Sequence, residues 1–125
     1  MKAGVINSGI YQLLIELPRS CVIKVGNLGK IRFSEGLYIY TGSAKANLRE
    51  RILRHFREEK RFHWHIDYLL RKGEIIAYNL QKYRQGRECD TNLQIYRGNP
   101  RARFIAGFGS SDCKCASHLV FIQPE

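Results

Sequence analysis

Two tyrosines, one arginine and one histidine occur in an order that suits chemistry on a phosphodiester. Tyr11 closes the run Gly9-Ile10-Tyr11, Tyr40 opens the run Tyr40-Thr41-Gly42, and Arg51 and His55 lie in the basic segment that follows. An arginine guanidinium can grip two phosphate oxygens in a fork geometry. The sequence therefore predicts a phosphodiester-cleaving site, in which two strand tyrosines and one helix arginine converge on a phosphate.

The strands that must position the tyrosines can be read from hydrophobic patterns. Residues 9–17 are apolar and partly β-branched, residues 21–25 and 30–33 alternate around a glycine-containing loop, and residues 36–40 form an aromatic run. These patterns predict two strands with an extra hairpin between them. Because the connections are too short for a parallel crossover, we expect an antiparallel or mixed sheet.

From Asn47 the pattern changes to that of an amphipathic helix, with Asn47 as its candidate N-cap. The apolar stripe of this helix is predicted to contain Leu48, Ile52, Leu53 and Phe56. At 100° per residue, Arg51 and His55 border that stripe and so lie next to the sheet. The remaining predicted elements are helices over residues 65–71 and 88–96 and strands over residues 75–80 and 119–122.

Length and charge limit the class of protein. The chain has 125 residues, with 21 Lys and Arg against 11 Asp and Glu, a formal net charge of +10. We expect one domain over residues 1–125 and a polyanionic partner, DNA above all, although charge alone does not distinguish DNA from RNA.

No apolar run approaches the ~18 residues of a membrane span, and no secretory signal is visible. The expected location is cytoplasmic, where the four cysteines stay reduced.

Taken together, Gly9-Ile10-Tyr11, Tyr40-Thr41-Gly42-Ser43-Ala44-Lys45 and Arg51-x-x-x-His55 resemble the signature of the GIY-YIG nuclease superfamily. The whole chain, including residues 63–68 and 108–119, also resembles a largely archaeal branch of small proteins within it. The resemblance implies an α+β, GIY-YIG-like single domain with a small antiparallel or mixed central sheet flanked by helices. It further implies a divalent-metal-dependent endonuclease acting on DNA in repair or recombination. An endonuclease III-type repair glycosylase is an expected partner, by analogy with fused relatives.

The resemblance also implies catalytic roles for four residues. Tyr11 and Tyr40 would hold and deprotonate the attacking water, and Arg51 would neutralise the phosphate and lower the pKa of a phenol. An unperturbed phenol, with a pKa of ~10, is a poor base, so such help is required. His55 would orient Tyr40 or accept the proton.

The superfamily uses one divalent cation held by a glutamate on a later helix, which here implies Mg²⁺ or Mn²⁺. Glu88 has the required helical context. Glu74 lies at the start of a predicted strand and is the alternative ligand.

A second candidate metal site is structural zinc, with the ligands Cys89, Cys113, Cys115 and His118. Three thiolates and one imidazole form a known zinc ligand set, but the single residue between Cys113 and Cys115 is tighter than the usual spacing. The alternative is that these two cysteines alternate between the core and the surface.

Two features depart from the common superfamily pattern. Residues 18–35 lengthen the connection between the tyrosine motifs, which leaves the strand order open. Thr41 replaces the usual branched aliphatic residue of the second motif, and its β-branching is expected to preserve the strand geometry.

The residues predicted to follow the nucleic-acid backbone are Lys45, Arg49, Arg54, Arg57, Lys60 and Arg61. Such a basic run is ordinarily a solvated helix face, but in a chain of net charge +10 a phosphate-tracking surface is favoured. The alternative function is a non-catalytic nucleic-acid-binding module of the same fold.

Overall fold

The computed structural model describes residues 7–58, 60–62, 64–82, 87–109 and 117–122. Within these ranges the strands are β1 (Gly9–Leu17), β2 (Cys21–Lys24), β3 (Lys30–Phe33), β4 (Gly36–Ala44), β5 (Glu74–Gln81), β6 (Ala102–Phe104) and β7 (Leu119–Ile122). The helices are α1 (Leu48–Phe56), α2 (His65–Leu70) and α3 (Arg87–Gly98). These elements confirm the α+β class and most of the predicted helices and strands.

The main sheet has five strands in the order β5-β1-β4-β7-β6, and every neighbouring pair is antiparallel. β1 and β4 pair over nine residues, from Gly9 opposite Ala44 to Leu17 opposite Gly36. The extra hairpin forms a separate two-stranded sheet of β2 and β3. The long insertion therefore leaves the two tyrosine strands as direct neighbours.

The two faces of the main sheet are covered differently. Alternation places Tyr11, Leu13 and Tyr40 on one face, where α1, α2 and the hairpin supply the buried core. Gln12 and Thr41 point to the opposite face, which α3 covers. The tyrosine motifs are thus held from both sides of the sheet.

The N-terminus of α1 is capped from outside the helix. Asn47 occupies the N-cap position in a left-handed conformation, but its side chain makes no capping hydrogen bond. The Asn7 side-chain oxygen accepts the Arg49 backbone N–H at 2.9 Å, and the Asn7 carbonyl oxygen accepts that of Leu48 at 3.2 Å. Asn47 is therefore the N-cap by position, as predicted, but the capping hydrogen bonds come from Asn7, two residues before β1.

The apolar stripe of α1 also differs from the prediction. Leu48 and Ile52 are buried as expected, whereas Leu53 and Phe56 are about half exposed. His55 takes the remaining buried position, with 2% exposure. The helix packs on the sheet through a face rotated toward His55, so an imidazole lies in the core where the sequence predicted a phenyl ring.

Two further features complete the fold. β6 was not predicted, because three residues that include Arg103 show no strand alternation. Residues 106–109 form a turn. Among the described helices, none has the length and apolar character needed to cross a bilayer.

Candidate active site

The two motif tyrosines lie side by side on one face of the sheet. Tyr11 is directly opposite Gly42, and Tyr40 is opposite Leu13, so the tyrosines are diagonal neighbours on β1 and β4. Their ring centroids are 6.4 Å apart, and both side chains are buried. The register of one strand pair therefore brings together two residues that are 29 positions apart in the sequence.

Gly42 makes room for the Tyr11 ring. A Cβ atom at position 42 would lie 2.6 Å from both Cζ and Oη of Tyr11. The ring crosses the position where any other residue would place its side chain. The Tyr11 ring can therefore occupy this position only if residue 42 is glycine.

Gly9 has a related role at the start of β1. A Cβ atom there would lie 2.8 Å from the Gln81 carbonyl oxygen and 3.0 Å from Cδ2 of Leu48. The absence of a side chain lets β5 and the first turn of α1 approach β1 closely.

His55 contacts Tyr11 directly. The Tyr11 Oη and His55 Nε2 atoms are 2.7 Å apart, which is a short buried hydrogen bond. His55 was expected to orient Tyr40 or to accept the proton. Its hydrogen bond is to Tyr11, and its ring meets that of Tyr40 edge-on at a centroid distance of 6.2 Å. The histidine therefore lies between the two phenols and pairs with the first.

Burial fixes the protonation states of this pair. Burial raises the pKa of Tyr11 well above its usual 10, Tyr40 adds to the rise, and Arg51 opposes it by its charge and a hydrogen bond. Burial also lowers the pKa of His55 to about 4, against the opposing effect of Asp67. At neutral pH the site thus holds a protonated phenol beside a neutral imidazole, an arrangement in which the phenol can donate to Nε2.

Arg51 is directed toward the same place from α1. Its Nη1 donates to the Ser43 carbonyl oxygen at the end of β4, and its guanidinium lies 4.9 Å from the centroid of the Trp64 ring. The bond to Ser43 and the ring face restrain an otherwise flexible side chain. Arg51 is close enough to Tyr11 for its charge to lower the pKa of that phenol.

A buried ion pair supports this arrangement from behind. Asp67 is fully buried and binds Arg54 through two parallel hydrogen bonds of 2.9 Å. The Arg54 guanidinium lies 4.5 Å from the Trp64 ring centroid, on which Arg51 also packs. Asp67 further accepts the Trp64 backbone N–H at 2.9 Å, so it fixes the start of α2 and the ring together.

The sequence contained a partial signal for this support. Trp64 immediately precedes α2, in the N-cap position of that helix. An acidic residue three positions later is typical of a capping box, which points to Asp67. His63 lies outside the described residues.

One family model, described as domain of unknown function DUF123, matches residues 10–125. The chain belongs to the DUF123 family. Searches of curated proteins and of solved structures returned no match. The family match covers β1 from Ile10 onward, β4, and helices α1, α2 and α3.

Thr41 of the DUF123 chain belongs to a polar network behind the tyrosines. Its hydroxyl lies 3.3 Å from Nε2 of Gln12 and 3.4 Å from Oδ1 of Asn92 on α3. Asn79 of β5 donates to Gln12 at 3.0 Å, and Asn92 donates to the Ser117 carbonyl oxygen at 2.5 Å. Thr41, which replaces the usual branched aliphatic residue, is therefore part of a hydrogen-bond network that connects β1, β4, β5, α3 and the segment before β7.

The two candidate glutamates for a divalent cation lie in different places. Glu74 is opposite Glu16 in the sheet, five residues or about 17 Å along β1 from Tyr11. Glu88 is the second residue of α3, in the helical context that was predicted, and its side chain is not described. The next residue, Cys89, contacts His118, whose carbonyl oxygen accepts the Thr41 N–H, so this turn of α3 lies near Thr41 in the middle of β4.

Two of the four candidate zinc ligands are adjacent. Cys89 Sγ and His118 Nε2 are 3.4 Å apart. Two atoms bound to one tetrahedral zinc, at the usual bond lengths, are about 3.5 Å apart. Cys113 and Cys115 lie outside the described residues, and among the described ones no three His, Cys, Asp or Glu side chains gather as a metal site.

The basic residues predicted to bind nucleic acid divide into two groups. Arg54 is paired with Asp67, and Lys60 donates to the His55 carbonyl oxygen at 3.0 Å, near the end of α1. Burial lowers the pKa of Lys60. The exposed members are Lys45, Arg49, Arg57 and Arg61. These four remain the predicted phosphate-tracking residues.

A cavity lies on the other side of His55 from the tyrosines. Its volume is about 590 Å³, and it is bounded by the C-terminal parts of α1 and α2 and by the start of β5. Phe56, Arg57, Arg71 and Glu74 line it together with His55. The histidine thus borders both the tyrosine pair and a space open to water.

Proposed function

We propose that this protein is a divalent-metal-dependent endonuclease that hydrolyses DNA phosphodiester bonds. The observation that carries the proposal is the buried 2.7 Å bond between Tyr11 Oη and His55 Nε2, with Arg51 and Tyr40 next to it. A fold that needed Tyr11 only for packing would not require an imidazole in its core. The net charge of +10 and the resemblance to GIY-YIG nucleases support the same reading.

In the proposed reaction, Tyr11 and Tyr40 hold the attacking water. The water gives a proton to the Tyr11 oxygen while Tyr11 passes its own proton to Nε2 of His55, and the resulting hydroxide attacks phosphorus. The phosphorus bond to the leaving oxygen then breaks, that oxygen takes up a proton from solvent, and the His55 imidazolium returns its proton to solvent. Burial disfavours the imidazolium, but the developing negative charge on the phosphate stabilises it during the step.

Arg51 would bind two phosphate oxygens with the N–H groups that Ser43 does not use. Glu88 would hold the divalent cation, whose charge supplies stabilisation of the leaving oxygen. The backbone of Glu88 lies next to Cys89 and so near Thr41, whereas Glu74 lies five residues along β1 from Tyr11, and this supports Glu88 as the ligand.

The test is a nicking assay on supercoiled, branched and single-stranded DNA with Mg²⁺ or Mn²⁺. Arg51→Ala should lower the cleavage rate about 10²–10³-fold, and Tyr11→Phe about 10²–10⁴-fold. Arg19→Ala is the matched control, because Arg19 is an exposed arginine beyond the opposite end of β1. Full activity in Arg51→Ala, or an equal loss of activity in Arg19→Ala, would contradict the assignment of Arg51 to the catalytic site.

The metal ligand is tested in the same assay. Glu88→Ala should abolish metal-dependent cleavage, and Glu74→Ala should retain it. The reverse result would make Glu74 the ligand. A wild-type protein that binds DNA with a steep salt dependence, yet cleaves none of these substrates with either metal, would be the non-catalytic binding module.

A further inference from the structure

Two large apolar side chains of β5 are exposed on the face of the sheet that carries the motif tyrosines. Tyr78 lies opposite Leu13 of β1, and Leu80 lies opposite Tyr11. Directly opposed residues of an antiparallel pair point to the same face of a sheet. Leu13 and Tyr11 are buried, whereas Tyr78 and Leu80 are 55% and 53% exposed. The tyrosine face is therefore left partly uncovered along β5.

Helix α1 adds two exposed apolar side chains at the same place. Leu53 and Phe56 are 54% and 47% exposed, and the ring of Phe56 meets that of Tyr78 edge-on at a centroid distance of 6.2 Å. At 100° per residue, Leu53 and Phe56 share one flank of the helix. We call Leu53, Phe56, Tyr78 and Leu80 the α1–β5 surface.

The α1–β5 surface is small for a protein partner and suits a flat ring. Four large side chains at half exposure offer roughly 400 Å². A standard protein–protein interface buries about 800 Å² on each partner. Two of the four side chains are aromatic, and an exposed aromatic ring binds a nucleobase by stacking, whichever base it is. The size and chemistry of the surface therefore favour bases over a folded protein.

Exposed cations next to this surface suit a phosphate backbone. Arg49 lies on the same flank of α1, Arg57 directly follows that helix, and Lys82 directly follows β5. Exposed carboxylates are also present nearby, at Glu58 and Glu74. The chain as a whole carries a net charge of +10, so its field attracts a polyanion. Basic residues around exposed aromatic rings are typical of surfaces that bind single-stranded nucleic acid.

The α1–β5 surface lies beside the tyrosine site. Tyr78, Leu13 and Tyr40 are opposite one another on β5, β1 and β4, so they form one row across the sheet. Two strand spacings, about 10 Å, separate the backbones of Tyr78 and Tyr40. Helix α1 ends at Phe56, next to this row. A DNA strand with one phosphate at the tyrosines would therefore have neighbouring nucleotides within reach of Phe56 and Tyr78.

We propose that the α1–β5 surface binds unpaired bases of the DNA strand that is cut, with Phe56 and Tyr78 as the stacking rings. Bases inside a duplex are paired and stacked on one another, so their faces are not open to side chains. The substrate class is therefore DNA that is single-stranded next to the scissile phosphate, such as a flap or a branch. The inference rests on the proposed function, because the tyrosine site supplies the scissile phosphate.

Fluorescence anisotropy without Mg²⁺ or Mn²⁺ measures binding to a labelled oligothymidylate strand and to a hairpin duplex. The wild type should bind the strand more tightly than the duplex. Tyr78→Leu should weaken binding to the strand about 5–100-fold, the range expected when one stacking ring is removed, and should leave binding to the duplex unchanged. Phe56→Leu should act in the same direction. Tyr78→Phe keeps the ring and should bind the strand as the wild type does.

Tyr96→Leu is the matched control. Tyr96 is a 39% exposed tyrosine on α3, which covers the opposite face of the sheet, and it receives the same substitution. This variant should bind the strand as the wild type does. Circular dichroism and thermal melting verify that each variant is folded.

Two further measurements separate base stacking from charge. A strand of abasic sites offers phosphates without bases, so the wild type and Tyr78→Leu should bind it equally. On the oligothymidylate strand, Tyr78→Leu should leave the dependence of log affinity on log salt unchanged. Arg57→Gln should reduce that slope by about 0.7, the value for one phosphate contact on a single strand.

Wild-type affinity of Tyr78→Leu for the strand, or an equal loss on the strand, the duplex and the abasic strand, would overturn the inference. These measurements involve no cleavage, so that result would leave the nuclease proposal standing. A protein whose strand binding depends on Tyr78, but which cleaves no DNA, would retain the surface and refute the nuclease alone. Where cleavage occurs, Tyr78→Leu should raise KM for a flap substrate and leave kcat unchanged.

Discussion

Replacement of Gly42 by alanine should destabilise the protein through one identifiable contact. The new methyl carbon would lie 2.6 Å from Cζ and Oη of Tyr11, well inside the closest distance of two non-bonded carbon atoms. Tyr11 is only 2% exposed, so its ring has no open space to enter. Overpacking of this kind costs about 1–3 kcal/mol, and loss of the hydrogen bond to His55 adds about 1 kcal/mol. We expect a total loss of about 2–4 kcal/mol in the free energy of unfolding.

Urea unfolding at neutral pH measures this change, and two further variants isolate its cause. Gly98→Ala is the matched control, because a Cβ atom there meets nothing within 4 Å and alanine favours the helix, so it should be neutral or stabilising. In a Tyr11→Leu background the shorter side chain removes the clash, and Gly42→Ala should then cost less than about 0.5 kcal/mol. A Gly42→Ala variant as stable as the wild type, or a cost that persists with Leu at position 11, would refute the steric explanation.

Three other measurements follow from the site. The pKa of His55 is about 4 in the folded protein, against an ordinary value of 6.5. As the pH falls, the unfolded chain therefore binds this proton before the folded protein does. His55 therefore contributes its full stability above about pH 6.5, and about 3 kcal/mol of the free energy of unfolding is lost as the pH falls from 6.5 to about 4. His55→Gln should lack this part of the pH dependence measured by urea unfolding. Arg54→Met should lower the free energy of unfolding measured in urea by about 3–5 kcal/mol, because the buried Asp67 carboxylate loses both hydrogen bonds from this arginine. Arg54→Met with Asp67→Leu should recover part of that loss. If zinc joins Cys89 and His118, elemental analysis of reduced protein should find one zinc per chain and Cys89→Ala should lose it, whereas metal-free wild-type protein would exclude the site.

The sequence predicted those elements whose side chains alternate or recur over many residues. Residues 9–17 and the hairpin follow an apolar pattern long enough to identify strands, and the structure confirms them. β6 is too short to show a period. The face of α1 was misjudged at Phe56 because a count of apolar residues ranks phenylalanine above histidine, whereas the structure buries His55 against Tyr11.

Contacts between distant residues account for most of what the sequence did not predict. Asn7 caps a helix that begins 41 positions later, and Asp67 holds an arginine on a different helix. A motif that names Tyr11 and Arg51 contains no information about Trp64, whose ring restrains the arginine. The spacing of the motifs along the chain was enough to predict the candidate catalytic residues. The residues that hold them in place are distant in sequence and are identified only by the tertiary fold.

The two flanks of helix α1 contact different parts of the tyrosine face of the sheet. The Arg51 flank packs on Trp64, and the Phe56 flank packs on Tyr78 of β5, which lies opposite Leu13. A folded Tyr78→Lys variant with wild-type cleavage would show that the catalytic site ends at the Arg51 flank. Loss of cleavage in that variant, with binding to DNA retained, would show instead that the site extends across β1 to β5.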